Sequence, residues 1–133
     1  MKEGKKVKAV TIYLRKNISK KVKIKMLERF GKDNLSALIR ILIRKYLNFE
    51  IKITVSKYND YVLNTNQTTE NKIKINVYLI EKEKEEFENR IYDLLLKKRK
   101  RNKMINLLIS EWLKETIKIK EQNFLEECNI KHK

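Results

Sequence analysis

Two short stretches of alternating residues constrain the fold of this chain most strongly. In residues 8–14 and again in residues 73–79, every second side chain is apolar. The apolar face of the first stretch is formed by Val10, Ile12 and Leu14, and that of the second by Ile75, Val77 and Leu79. Successive side chains of an extended chain point to opposite faces, so each stretch is predicted to be a β-strand with one buried face. A lone strand leaves its backbone groups unpaired, and we therefore predict that the two strands pair.

Four helices are predicted from apolar residues that recur at helical spacing. They cover about residues 19–30, 35–47, 82–98 and 102–117. Ser19 is the expected N-cap of the first helix, because its hydroxyl can accept a backbone hydrogen bond. Gly31 is expected to end that helix, and Asp33 and Asn34 are expected to supply cap chemistry for the second.

The predicted order of strand, helix and helix occurs twice along the chain. Residues 36–47 align with residues 102–113 without a gap, and an apolar residue outside the main helical face recurs as Ile41 and Leu107. Because Ile41 lies outside the main apolar face of its helix, it is expected to need a second surface to pack against. An internal repeat of this kind indicates two related structural units.

The predicted organisation has four segments. Residues 1–48 form the first unit with a basic N-terminal arm, and residues 49–71 form a linker with some local order. Residues 72–118 form the second unit, and residues 119–133 a charged C-terminal tail. Within the linker, a short strand over residues 51–55 and a continuation of the preceding helix both remain open.

The charge of the chain favours a polyanion as its partner. Its 133 residues include 33 Lys and Arg against 17 Asp and Glu, a net charge of +16. DNA, RNA and an acidic membrane surface are the candidate polyanions. No apolar run approaches the length of a membrane span, and the one cysteine, Cys128, allows no intrachain disulfide. The expected location is therefore the cytoplasm, with no membrane partner.

Enzyme chemistry is not expected. The one histidine, His132, and the one cysteine, Cys128, both lie in the predicted tail, and we do not expect them to form a catalytic pair of nucleophile and base. The sequence contains no glycine-rich phosphate loop and no cluster with metal-ligand spacing. We therefore expect no catalytic residues, no metal and no cofactor.

The strand with its two following helices resembles the ribbon-helix-helix family of DNA-binding proteins, of the Arc, MetJ and CopG type. The resemblance rests on residues 10–14 and 31–47 of the first unit, and on the corresponding residues 75–79 and 102–113 of the second unit. It implies a mainly α fold with one two-stranded antiparallel β-ribbon, built from β-α-α twice. With both strands in one chain, the expected form is an intramolecular pseudo-dimer. The tandem arrangement and composition are similar to transcription regulators of archaeal viruses and plasmids.

The family resemblance also implies which residues contact DNA. The ribbon is expected to enter the major groove and read bases with its outer face, while helix N-termini bind phosphates. The expected base-reading residues are Ala9, Thr11, Tyr13, Lys74, Asn76 and Tyr78. The expected phosphate-binding residues are Lys5, Lys6, Lys8, Lys32, Asn34, Ser36, Lys100, Arg101, Asn102 and Lys103.

The expected partner is double-stranded DNA, bound by a repressor-like regulator that associates with the nucleoid. The pseudo-dimer is expected to act as a monomer, with further self-association on DNA left open. Pairing of strands between chains is the structural alternative. An antitoxin-type module, in which the tail with Phe124 and Leu125 binds a partner protein, is the functional alternative. RNA binding and a membrane-surface helix are further alternatives.

Overall fold

A computed structural model describes residues 6–65, 71–97 and 100–130 of the chain. Within these residues the fold is mainly helical, with six helices and one two-stranded antiparallel sheet. The elements in chain order are β1 (Val7–Arg15), α1 (Lys16–Phe30), α2 (Leu35–Leu47), α3 (Val55–Thr65), β2 (Lys72–Ile80), α4 (Glu81–Leu95), α5 (Arg101–Leu113) and α6 (Glu121–Glu127).

The two strands form a ribbon within one chain. β1 runs antiparallel to β2, with Val7 opposite Ile80 at one end, Thr11 opposite Asn76 at the centre and Arg15 opposite Lys72 at the other end. Each strand extends one residue beyond its predicted bounds on both sides. The buried residues of the ribbon are Val10, Ile12, Leu14, Val77, Leu79 and Ile80. Five of the six residues of the predicted apolar face are therefore buried. The sixth, Ile75, is half-buried and packs against the core, and Ile80 is buried although it lies outside the predicted alternation.

Helices α1 and α4 begin directly after their strands. The backbone N–H of Lys16 donates to the carbonyl of Asn71 at 2.9 Å, and the N–H of Glu81 donates to the carbonyl of Lys6 at 2.8 Å. The residue that directly precedes the partner strand thus satisfies a backbone donor at each helix start. For this reason Ser19, the predicted N-cap, lies inside α1, and the helix begins three residues earlier than predicted.

The bounds of α2 agree with the prediction, and both predicted end signals are present. Asn34 accepts a hydrogen bond from the Ala37 N–H at 3.0 Å, and Gly31 ends α1 with a φ of 70°. The later helices are shorter than predicted. Leu96 and Glu115 adopt φ values of 55° and 68°, a left-handed conformation that stops a helix.

Two segments contain helices that the sequence did not predict. Residues 55–65 of the predicted linker form α3, so neither the extra strand nor the extension of α2 is present there. Residues 121–127 of the predicted tail form α6, whose Phe124 is fully buried. Each helix contributes one buried aromatic side chain to the hydrophobic core, Tyr58 from α3 and Phe124 from α6.

A single hydrophobic core joins the two predicted units. α1 packs against α5 and α6, and α2 packs against α4, α5 and α6. Ile41 and Leu107 are both buried in this core. No helix in the described part of the chain is long and apolar enough to cross a lipid bilayer.

Candidate nucleic-acid interface

The outer face of the ribbon carries six side chains in three opposing pairs. Their register follows from the strand pairing: Ala9 faces Tyr78, Thr11 faces Asn76, and Tyr13 faces Lys74. Ala9, Tyr13, Lys74 and Asn76 are exposed, whereas Thr11 and Tyr78 are half-buried. All six predicted base-reading residues therefore share one side of the ribbon, opposite the buried core.

The central pair is joined by a hydrogen bond. The Thr11 hydroxyl donates to the Asn76 side-chain carbonyl at 3.0 Å. A carbonyl oxygen has two lone pairs, so this bond leaves acceptor capacity on Asn76 in addition to its amide donors. The bond fixes the amide of Asn76 at the middle of the ribbon, with a donor and an acceptor side by side.

The β1 edge of the ribbon is bound by side chains at the start of α5. The backbone N–H of Tyr13 donates to Asn102 Oδ1 at 2.7 Å. The carbonyl of Tyr13 accepts from Asn106 Nδ2 at 3.1 Å and from Asn102 Nδ2 at 3.3 Å. Asn102 and Asn106 are one helical turn apart and lie on the same helix face. They satisfy backbone groups that the two-stranded ribbon leaves open at its edge.

The β2 edge is bound in the same manner by α2. The backbone N–H of Tyr78 donates to Ser36 Oγ at 2.9 Å, and its carbonyl accepts from Arg40 Nη1 at 2.6 Å. In the gap-free alignment of the two halves, Ser36 corresponds to Asn102 and Arg40 to Asn106. Each strand is therefore held by the helix from the other half of the chain.

These contacts place the N-terminal turns of α2 and α5 beside the two edges of the ribbon. The first N–H groups of a helix have no partner within the helix, and together with the helix dipole they favour anions. Ser36, Asn34 and Asn102 were predicted to bind phosphates. Asn34 caps α2, and the other two bind the ribbon backbone, so these side chains position the helix ends.

The predicted cationic residues differ in their surroundings. Lys6 and Lys32 are exposed, while Lys100 and Lys103 are half-buried. Lys8 lies 3.4 Å from a carboxylate oxygen of Glu81, and Arg101 is paired with Glu88. Lys5 lies outside the described residues. Lys6 and Lys8 precede or begin β1, and the others flank α2 or α5.

A buried ionic cluster connects α6 to the ribbon through Arg40. Only 2% of Arg40 is exposed, and its Nε donates to Glu127 Oε2 at 2.6 Å. Arg44 Nη1 donates to Glu127 Oε1 at 2.9 Å, and Arg44 Nε donates to Glu83 at 2.9 Å. Burial disfavours the charged form of Glu127, but the hydrogen bonds from Arg44 and Arg40 outweigh burial and lower its pKa.

Arg40, Asn106 and Glu127 were missed as positioning residues. The signal for the first two was present, because each follows an aligned polar residue, Ser36 or Asn102, by four positions and so shares its helix face. Glu127 could not be found in this way. Its role depends on α6 packing against α2 over a separation of 87 residues from Arg40.

Comparisons with known proteins returned no relative. No protein-family model, no curated protein and no solved structure matches the chain. Among the described residues, no group of three or more His, Cys, Asp and Glu side chains could hold a metal ion.

Proposed function

We propose that this chain is a sequence-specific double-stranded DNA-binding protein that inserts the β1–β2 ribbon into the major groove. The observation that carries the proposal is the ribbon itself: one face is buried, the other is polar, and both edges are flanked by helix N-termini. The net charge of +16 provides the attraction to a polyanion that such binding requires.

The major groove is wide enough for a two-stranded ribbon and displays a different donor and acceptor pattern for each base pair. On the outer face, Lys74 is suited to guanine O6 and N7, and Asn76 to adenine N6 and N7. Thr11 holds the Asn76 amide and presents a methyl group that can contact a thymine methyl. Tyr13 and Tyr78 offer larger rings, which suit stacking or sugar-phosphate contact.

Phosphate contacts fix the ribbon in its groove without reading sequence. The α2 and α5 N-termini would bind phosphates on opposite sides of the groove through their free N–H groups. Lys32 shortly precedes α2 and Lys103 lies in the first turn of α5, so both add positive charge there, while Lys6 and Lys8 would follow the backbone near the start of β1.

We further infer that the chain is a tandem ribbon-helix-helix protein. One molecule forms an intramolecular pseudo-dimer, in place of the dimer of two chains that the family uses. Each half supplies one strand, and equivalent residues of α2 and α5 bind the opposite strand. The helix ends also correspond: Gly31 and Leu96 have positive φ, and so do Phe49 and Glu115. These agreements support a common β-α-α unit, and the regulatory role that we propose rests on the resemblance to the family.

The antitoxin-type alternative receives less support. It requires a C-terminal segment that offers Phe124 and Leu125 to a partner protein. Phe124 is fully buried and stacked on Phe30, with ring centroids 4.1 Å apart, so it already contributes to the core. Leu125 is 37% exposed, which is a small surface for recognition.

The proposal is tested in two steps. Bound duplexes are selected from random-sequence DNA, and the mass of the protein–DNA complex is then measured by native mass spectrometry to count the chains per site. The expected result is an enriched sequence motif and one chain per bound site. Enrichment of no motif, or equal affinity for duplex RNA, would contradict it, because the deep major groove of A-form RNA is too narrow for a ribbon.

A further inference from the structure

A cavity of about 590 Å³ opens beside the ribbon, between β1, α4 and the turn that leads into α5. Its walls include the rings of Tyr13 and Tyr92, the apolar side chain of Ile91, and the cationic side chains Lys97 and Lys100. The volume is within the range of pockets that bind small organic molecules, about 300–1,000 Å³.

The positive charge in this cavity is not neutralised by its one carboxylate. Glu88 also lines the cavity, but it is paired with Arg101 and with Lys84. Neither Lys97 nor Lys100 has an acidic partner within residues 6–65, 71–97 and 100–130. A ligand that fits both features therefore carries an anionic group for the lysines and a flat apolar part for the tyrosines.

The cavity lies on the side of the ribbon where α4 and the start of α5 are found. Five residues, 96–100, separate α4 from α5 in the sequence, whereas four residues, 31–34, separate α1 from α2. On α1, the residue that corresponds to Tyr92 is Leu27, and the two side chains are similarly exposed, at 47% for Leu27 and 45% for Tyr92. The α1 side thus provides matched control positions without the ring.

We propose that this cavity binds a small organic anion with an aromatic ring, and that the bound anion controls access of DNA to the ribbon. Thr11, Tyr13 and Asn102 line the cavity and also belong to the ribbon face and edge described above. A ligand in contact with them occupies space at the flank where DNA would lie. The effect of the anion on DNA binding rests on the proposed function. Binding of the anion to the cavity does not depend on it.

The experiment uses 8-anilinonaphthalene-1-sulfonate, an aromatic anion whose fluorescence rises on binding, and N-phenyl-1-naphthylamine, the same ring system without the sulfonate. We expect saturable binding of the sulfonate to the full chain. Tyr92→Ala and Lys97→Gln should each weaken it about tenfold, the size expected for one lost charged or aromatic contact. Lys97→Gln should leave binding of the uncharged probe unchanged.

Leu27→Ala and Lys32→Gln are the controls for loss of a large side chain and loss of one charge. They should bind the sulfonate as the original chain does. Equal weakening by Leu27→Ala and Tyr92→Ala, or no effect of either cavity variant, would overturn the site. Thermal unfolding of each variant checks that the exposed substitutions leave the fold intact.

DNA competition then tests the control function separately. Saturating sulfonate should release a fluorescent duplex from the original chain and release much less from Tyr92→Ala at the same probe concentration. A probe that binds the cavity but releases no DNA would contradict the control function. If Tyr92→Ala itself weakened DNA binding tenfold, the cavity would belong to the DNA interface, and the proposal of a separate ligand would fail.

Discussion

At the scale of single residues, Arg40 is the most deeply buried charged side chain among the described residues. Its guanidinium group is buried, binds the Tyr78 carbonyl on the ribbon, and is neutralised by Glu127 from α6. A buried charge is tolerated only with a partner and satisfied hydrogen bonds. The ribbon edge at β2 therefore depends on a carboxylate contributed by the last helix.

Glu127→Gln should destabilise the protein strongly near neutral pH. The change leaves Arg40 buried without its negative partner, which costs about 3–5 kcal/mol of unfolding free energy in comparable sites. Because the pKa of Glu127 is lowered in the folded state, its ionic contribution is present above the unfolded-state pKa of about 4.3 and is lost as the pH falls through the folded-state pKa.

Denaturant unfolding at neutral and at acidic pH measures this effect. The difference in unfolding free energy between the original chain and Glu127→Gln should be large at neutral pH and should become smaller in acid. Glu126→Gln, at the exposed neighbouring position, should cost less than about 0.5 kcal/mol. A gap between the Glu127 variant and the original that stays constant with pH would show that the lost contribution is not ionic.

At the scale of elements, periodicity predicted the strands and α2 well, because a half-buried strand and an amphipathic helix each repeat one apolar face. It failed for α3 and α6, which are short and carry little apolar surface. A signal was nevertheless present. Ile51, Ile53 and Tyr58 recur 66 positions later as Ile117, Ile119 and Phe124, and in both sets the aromatic residue is buried.

Phe124→Ala should show that α6 is part of the folded unit. Removing a fully buried phenylalanine costs about 3–5 kcal/mol, and Phe124 also loses its stacking on Phe30. Urea unfolding should therefore have a clearly lower midpoint, with Leu125→Ala as the exposed control. Similar midpoints for the two variants would mean that α6 is not anchored in the core.

The N-terminal turn of α5 should contribute phosphate contacts. Replacing Lys100 and Lys103 with Gln should weaken binding to all duplex sequences and reduce the slope of log affinity against log salt by about 1.8, or 0.9 for each lost contact. Lys118→Gln with Lys120→Gln changes the same charge beyond the other end of α5 and should leave the slope nearly unchanged. An equal change in slope for both pairs would indicate a diffuse charge effect.

At the scale of the whole molecule, the two edges of the ribbon are bound in the same manner but by different residues. One ribbon edge is bound by Ser36 and Arg40, and the other by Asn102 and Asn106. The crossing of each helix to the opposite strand could not be predicted from periodicity, because it depends on contacts across about 40 to 90 residues. The inequality of the outer faces, Thr11 against Asn76, was visible in the sequence.

The bound DNA site should therefore be an imperfect palindrome. Residues 1–48 carry a net charge of +12 and residues 72–133 a net charge of +5, which adds to the difference between the ribbon faces. Hydroxyl-radical footprints on the two strands of a selected duplex should differ in extent. Footprints with strict two-fold symmetry about one bound chain would contradict this expectation.

The most direct test of the account replaces Lys74 and Asn76 together with Ala and measures affinity for the selected duplex and for random duplex DNA. Each lost base contact is worth about 1–3 kcal/mol of discrimination, so the preference for the selected sequence should fall at least tenfold for each contact. Binding to random DNA should change little. A control pair, Lys118→Ala with Asn123→Ala, removes the same residue types away from the ribbon and should keep the preference. If the ribbon variant lost affinity for selected and random DNA equally, the ribbon would not be the surface that reads sequence.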